Sequence, residues 1–191
     1  GDAEVTFAVT SILYEAYHGI GDFEEKANDN LRVIAGLYYN PNQIVVSKDT
    51  NAKFLTDLKG LSFSPGAIGS TTIKEATQHF KVLGIDLAEY CDLVNSGFTE
   101  SVELLKNNDI KGAWIMAGIP KQAVSQMTSE AGAHLISISD LTITQLQQNY
   151  PWYSKYIIPA GTYENQDTDI TTSAVKLALC TTTDLDVQTV Y

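Results

Sequence analysis

The residues best placed to do chemistry lie in one stretch, Leu61 to Gly84, which reads LSFSPGAIGSTTIKEATQHFKVLG. Pro65-Gly66 interrupts a short apolar strand, and the small residues Ala67-Ile68-Gly69-Ser70-Thr71-Thr72 lead into a helix. A strand, a glycine-bearing loop and a helix start leave backbone N–H groups without partners, and the helix dipole favours negative charge there. Gly69, Ser70, Thr71 and Thr72 can therefore present N–H and hydroxyl donors to a carboxylate. The same residues also read as an ordinary, well-capped turn. The loop is not a nucleotide-binding Walker loop, because no Lys follows the glycine.

The elements around this loop follow from periodicity. Ile73, Ala76, Phe80 and Leu83 recur on one helical face, Thr72 and Glu75 have capping-box spacing, and Gly84 supplies a stop. Before the loop, strands are expected at Val5 to Val9, Leu31 to Leu37 and Gln43 to Lys48, with a break at Tyr38 to Asn42. A short helix over Ser11 to Tyr17 and a helical turn at Phe54 to Gly60 lie between. After it come a strand at Tyr90 to Asn95, a helix over Thr99 to Asn107, a strand at Gly112 to Ala117 and a helix opened by Gly118-Ile119-Pro120. A strand at His134 to Ser139, a helix over Leu141 to Asn149, an aromatic segment from Tyr150 to Tyr163, a strand at Ala174 to Thr181 and a helix start from Asp184 to Tyr191 complete the chain. Strands alternating with helices predict a mainly parallel α/β sheet covered on both faces, with ligands beyond the strands' carboxyl ends. Three loops fall there, at Pro65 to Thr72, Asn95 to Thr99 and Gly118 to Pro120.

The chain has 191 residues, 44% of them hydrophobic, and a net charge of −11. That charge disfavours nucleic-acid backbones and anionic membranes, which select clustered Lys and Arg. It also means that a bound anion must be held by local dipoles against the overall field. Cys91 and Cys180 form no CxxC pair and are compatible with two buried thiols or one disulfide. His18, His79 and His134 lack ligand-like spacing, so no metal and no cofactor are expected. No apolar run is long enough to span a membrane, and no leader peptide is visible. Neither paired carboxylates nor a nucleophile elbow is legible, so no catalytic residue is assigned.

Eight segments carry a family resemblance. They are Val33 to Tyr38 (VIAGLY), Gln43 to Val46 (QIVV), Asp57 to Gly60 (DLKG), Gly66 to Thr71 (GAIGST), Phe98 to Val102 (FTESV), Ala117 to Pro120 (AGIP), Tyr150 to Tyr153 (YPWY) and Ile158 to Tyr163 (IPAGTY). Occurring in one order across nearly the whole chain, they resemble the solute receptors of the TAXI branch of TRAP transporters, which have a two-lobed periplasmic-binding-protein fold of type II. Two departures stand out. Thr71 occupies the place of the second glycine in the family's loop, and the acidic residue before the Gly112 strand is displaced to Asp109. The resemblance implies that the first βαβ portion and most of the final helix lie outside this chain. Val5 to Val9 and Leu31 to Leu37 would then lack neighbours and invite association.

By the same resemblance, residues 1–47 and 172–191 belong to a first lobe and 48–171 form a second, closing about a hinge when a solute binds in the cleft. The implied protein is a periplasmic or extracellular receptor that captures a small carboxylate such as glutamate, glutamine or 2-oxoglutarate and delivers it to the membrane permease subunits of its transporter. Besides Gly69, Ser70, Thr71 and Thr72, the expected ligand-binding residues are Tyr38 as a cleft wall, Gln43 as a polar contact, Phe98 at a strand-to-helix junction and Gly118 where the chain approaches closely. Each has a structural alternative: a buried tyrosine, an exposed strand start, packing under a helix, a plain turn. Tyr150, Trp152, Tyr153 and Tyr156 could form a sugar platform but read better as packing. An enzyme, or a sensory domain, on the same two-lobed scaffold is the alternative function.

Overall fold

The computed structural model describes residues 4–186 and 188. In order it contains β1 (Val5–Val9), α1 (Thr10–His18), β2 (Leu31–Val46), β3 (Ser62–Ser64), α2 (Thr71–Val82), α3 (Leu87–Tyr90), β4 (Asp92–Leu93), α4 (Phe98–Lys106), β5 (Gly112–Met116), α5 (Gln122–Ala131), β6 (His134–Ile136), α6 (Asp140–Asn149), β7 (Ser154–Ile158) and β8 (Ile170–Thr182). Residues 1–40 with 175–191 form one compact unit and 41–174 another, so that β2 and β8 each pass from one unit to the other.

In the 41–174 unit, alternation builds two cores on one sheet. Ile44 and Val46 of β2, Phe63 of β3, Trp114 of β5 and Ile136 of β6 face one side, where Ala76 and Phe80 of α2 and Ile143 of α6 cover them. Val45, Ala113, Ile115 and Leu135 face the other side, against Val102 and Leu105 of α4 and Ala123, Val124 and Met127 of α5. Gly112 is required by this packing, since a Cβ there would lie 3.0 Å from both the Phe63 ring and the Val45 carbonyl. The expected helix-covered α/β class is therefore present.

Strand direction departs from a mainly parallel sheet. β3 runs parallel to β4 and β5, but β2 is antiparallel to β5 and β6, and β8 is antiparallel to β1 and β7. The antiparallel pairs are those made by the two long strands, β2 and β8. β2 is also one strand of 16 residues, where two strands and a break were expected at Tyr38 to Asn42. Pro41 sits inside it, immediately before the Asn42–Val46 stretch that pairs with β5.

Local differences have local causes. The strand expected at Tyr90 to Asn95 shrinks to Asp92–Leu93, because Asp86 accepts from the Ala88 amide and starts α3 instead. Ser70, not Thr72, caps α2, its hydroxyl accepting from the Ile73 amide at 3.4 Å, and Glu75 is turned inward. Gly84 ends the helix as expected, with a left-handed φ of 73° and the paired bonds Gly84 N–H to Lys81 O and Ile85 N–H to Phe80 O. β7 occupies part of the expected aromatic loop. Thr183 and Asp184 form a turn, and positions 187 and 189–191 of the helix start expected from Asp184 lie outside the described residues.

The other unit carries β1 and parts of β8 and β2, in the order β1-β8-β2. Its strands are open: Phe7 is 65% and Val33 60% exposed, and Val5 and Leu37 are exposed as well. Cys91 and Cys180 are free, buried thiols, each donating to a backbone carbonyl, of Leu58 and Thr6 respectively.

Candidate functional site

Because β3 lies parallel to both β4 and β5, the carboxyl ends of the three strands share one edge. From that edge residues 65–70 lead to α2, 94–97 to α4 and 117–121 to α5, so three helix starts gather beyond the same strand ends. The amides of a first turn have no intrahelical acceptor and point outward there.

The first loop is shaped by two glycines. Gly66 has φ 121°, and a Cβ there would come within 3.0 Å of Thr72 Cβ and 3.1 Å of the Ile73 nitrogen, so the loop folds back on its own helix. Gly69 has φ 75° and is exposed, with nothing within 4 Å of where a Cβ would stand. Ser70 and Thr71 are half-buried, while Thr72 is buried against Gly66. Ile68, at the tip, is 83% exposed. The donors this loop offers outward are thus at Gly69 and Thr71 and on the Ser70 hydroxyl, the Ser70 amide being bonded to the Ala67 carbonyl at 3.0 Å.

The second loop is fixed from beneath by three buried serines. Ser64 Oγ lies 2.8 Å from Ser96 Oγ, which lies 2.7 Å from Ser101 Oγ, and Ser101 donates to the Gly97 carbonyl at 2.9 Å. The end of β3 is so tied to the start of α4. α4 begins at Phe98 with Gly97 as an uncapped N-cap, and Phe98 is half-buried, packed on the α4–α5 core.

The third loop is held at both ends. Gln43 is fully buried: its Nε2 donates to the Ala117 carbonyl at 3.0 Å, and its Oε1 accepts from Tyr163 OH at 2.5 Å. Tyr163 OH in turn accepts from the Lys121 amide at 2.9 Å. Burial raises the Tyr163 hydroxyl to a pKa of about 12, so it stays protonated and keeps donating. Gly118 is half-buried within this loop. Gln43 thus holds the loop carrying Gly118 and points at no open space. Lys121 places its ammonium 5.5 Å from the centre of the Phe98 ring, a cation resting on the aromatic that starts α4. Its neighbourhood with Phe98 joins residues 23 apart in sequence, and only the adjacency of Lys121 to the Gly118 loop hinted at it.

Tyr38 belongs to the other unit and stands exposed on β2. The aromatic cluster does not form an open platform. Tyr153 is buried, donates to Gln78 Oε1 at 2.6 Å and packs edge-on against His79 at 5.0 Å.

Behind α2 the structure assembles a contact that resembles a nucleophile and its base. Ser173 Oγ lies 2.5 Å from His79 Nε2. Both residues are fully buried, and burial drives the His79 pKa down to about 4 against a smaller upward effect of its bond to the Glu75 backbone. His79 Nδ1 is oriented by the Glu75 carbonyl at 2.6 Å, not by a carboxylate. No solute reaches this pair. Among the described residues, no group of three or more His, Cys, Asp or Glu side chains is placed to hold a metal ion, and no helix is long and apolar enough to cross a membrane. A shallow concavity of about 470 Å³, lined by Ala52, Phe54, His134 and Ile136 among others, lies at the opposite, amino-terminal edge of the strands. The carboxyl edge is the stronger candidate, because free helix-start amides and Lys121 gather there.

A family model described as the NMT1-like family matches residues 1–191. Among solved structures the chain is similar to a TctC solute-binding protein from Polaromonas, at 16% identity and TM-score 0.57, over 97% of this chain and 59% of that one. It is similar to the periplasmic aliphatic sulphonate binding protein SsuA from Escherichia coli, at 12% identity and TM-score 0.52, over 71% and 43%. It is also similar to the CcmR regulatory domain of Synechocystis in complex with 2-PG, at 11% identity and TM-score 0.51, over 98% and 69%. The chain spans about half the length of the first two. What it shares with all three is the fold, that of the periplasmic binding proteins.

Proposed function

The chain belongs to the NMT1-like family, and on that premise we propose that it is an extracytoplasmic solute receptor, periplasmic or extracellular, serving a TRAP-type transporter of the TAXI branch. It captures a small carboxylate, with glutamate, glutamine and 2-oxoglutarate as leading candidates, and passes it to membrane permease subunits. The observation that carries this reading is the convergence of three helix starts on one strand edge, with Gly69 exposed at φ 75° and open space beyond it. A carboxylate there receives charge-assisted hydrogen bonds from the Gly69 and Thr71 amides and the Ser70 and Thr71 hydroxyls, and Lys121 adds a positive charge in a protein of net charge −11. Thr72, Gln43 and Phe98 shape the edge from within, and Gly118 gives close backbone approach.

Catalysis is disfavoured by the enclosure of Ser173 and His79. A sensory role on the same site is the second reading, favoured by the likeness to the CcmR regulatory domain. The test is a thermal-shift screen against amino acids, dicarboxylates, alkanesulfonates and 2-PG. A solute present at a hundred times its dissociation constant adds about 2.7 kcal/mol of stability. Stabilisation by an α-amino or 2-oxo dicarboxylate supports the reading, and stabilisation by 2-PG alone would favour the sensor. Absence of any shift at millimolar concentrations would sink the carboxylate assignment.

A further inference from the structure

α2 buries charge-bearing and polar side chains where an amphipathic helix needs only apolar ones. Glu75 and His79, one turn apart, are fully buried beside Ala76 and Phe80. Buried polar groups are costly unless paired, and theirs are paired to the two strands that pass between units. Asn42 lies on β2 just inside the 41–174 unit, and Thr172 and Ser173 lie on β8 just before it leaves.

The direction of each bond is determined by chemistry. A carbonyl only accepts, so His79 Nδ1–H donates to Glu75 O at 2.6 Å and Nε2 is left as an acceptor. Ser173 Oγ–H donates to that Nε2 at 2.5 Å and accepts from Asn42 Nδ2 at 3.0 Å. The same Asn42 amide reaches Glu75 Oε2 at 3.4 Å, and Asn42 Oδ1 accepts from Trp114 Nε1 at 2.7 Å. Thr172 Oγ1–H donates to the Asn42 carbonyl. The ring closes: α2, β2, β8 and β5 are linked through side chains 131 residues apart in sequence between Asn42 and Ser173. One turn towards the amino end of α2 stands Thr72, pressed against Gly66 of the exposed loop.

We propose that α2 is a transmission element, coupling the state of the Gly66–Thr72 loop to the set of β2 at Asn42 and of β8 at Thr172 and Ser173, through Glu75 and His79. Its biological meaning rests on the receptor reading, but the coupling is a physical property that exists with no solute present. It regulates by geometry: displacing the helix start shifts Glu75 and His79 together, and each is bonded, directly or through Ser173, to a crossing strand. A purely apolar α2 would pack as well without fixing this register.

The test is amide hydrogen exchange on the full chain at pH 7, read by segment. Ser173→Ala removes the shared hydroxyl, and His79→Phe keeps the ring while removing both nitrogens. In each, exchange is expected to quicken about tenfold, the scale of one lost hydrogen bond, in residues 41–44, 171–174 and 66–72 together. Segments in α4 and α5 should be unchanged, which a merely structural loss would not spare. Gly69→Ala tests the reverse direction from outside the core, where folding is not at stake: its strained loop should quicken exchange in 41–44 and 171–174. Change confined to the substituted neighbourhood, or spread evenly through α4 and α5, overturns the proposal. Because no solute is added, failure here leaves the receptor assignment standing, and failure of that assignment leaves this result intact.

Discussion

Replacing His79 by glutamine should erase a specific piece of the protein's acid sensitivity. The imidazole is fully buried, with a folded pKa of about 4 against an ordinary 6.5, desolvation being the main cause. A base whose folded pKa is depressed binds its proton more readily in the unfolded chain. Stability is therefore unaffected above about pH 7 and is lost as pH falls from 6.5 towards 4. The gap of about 2.5 pKa units is worth about 3 kcal/mol at full development, with about 2 kcal/mol already lost at pH 5. The titratable side chains near it are Glu75 and Tyr153, and both remain in the variant. Glutamine cannot titrate, though losing ring contacts with Trp114 at 4.8 Å and Tyr153 at 5.0 Å should cost roughly 2–4 kcal/mol at pH 7. Urea unfolding followed by tryptophan fluorescence, with Trp114 beside the site, gives the stability of both proteins at each pH. The difference between them should shrink by about 3 kcal/mol from pH 7 to pH 4. A difference that stays constant across that range would refute the argument, since it would mean that the folded protein lets His79 take a proton freely.

Other outcomes follow from the same structure. Gly66→Ala should destabilise by roughly 2–4 kcal/mol, combining a left-handed φ of 121° with a 3.0 Å clash, whereas Gly69→Ala should cost only about 1 kcal/mol because its Cβ meets open space; thermal denaturation separates them. Gly69→Val should abolish solute binding while the fold persists, and calorimetry showing unchanged affinity would remove the loop from the site. Lys121→Met should weaken carboxylate binding about tenfold or more and flatten its salt dependence, as loss of one charge-assisted contact predicts. Exposed Phe7 and Val33 should make the chain self-associate, and light scattering of Phe7→Ser should show less of it.

Much of the architecture was legible because its causes are local. The strand Val5–Val9, the apolar face of α2, the stop at Gly84 and the run Gly112–Met116 each depend on residues within a turn or two of one another, so periodicity and capping chemistry suffice. The glycine loop was visible for the same reason, and so was the order of strand, loop and helix around it. Which hydroxyl caps α2 was not, since Ser70 and Thr72 are both competent and the fold-back at Gly66 selects the first. The tertiary structure alone decided the rest. That three loops lie at strand carboxyl ends was expected from the alternation of strands and helices; which strands pair to set them side by side, β3 with both β4 and β5, rests on contacts between segments distant in sequence. Gln43 was expected to meet a solute but is enclosed by Tyr163, 120 residues away, and Lys121 meets Phe98 only once α4 and α5 pack together. The Asn42–Ser173–His79 ring joins three elements that share no local pattern. Periodicity identifies which face of an element is buried; which polar partner waits there depends on where the chain returns.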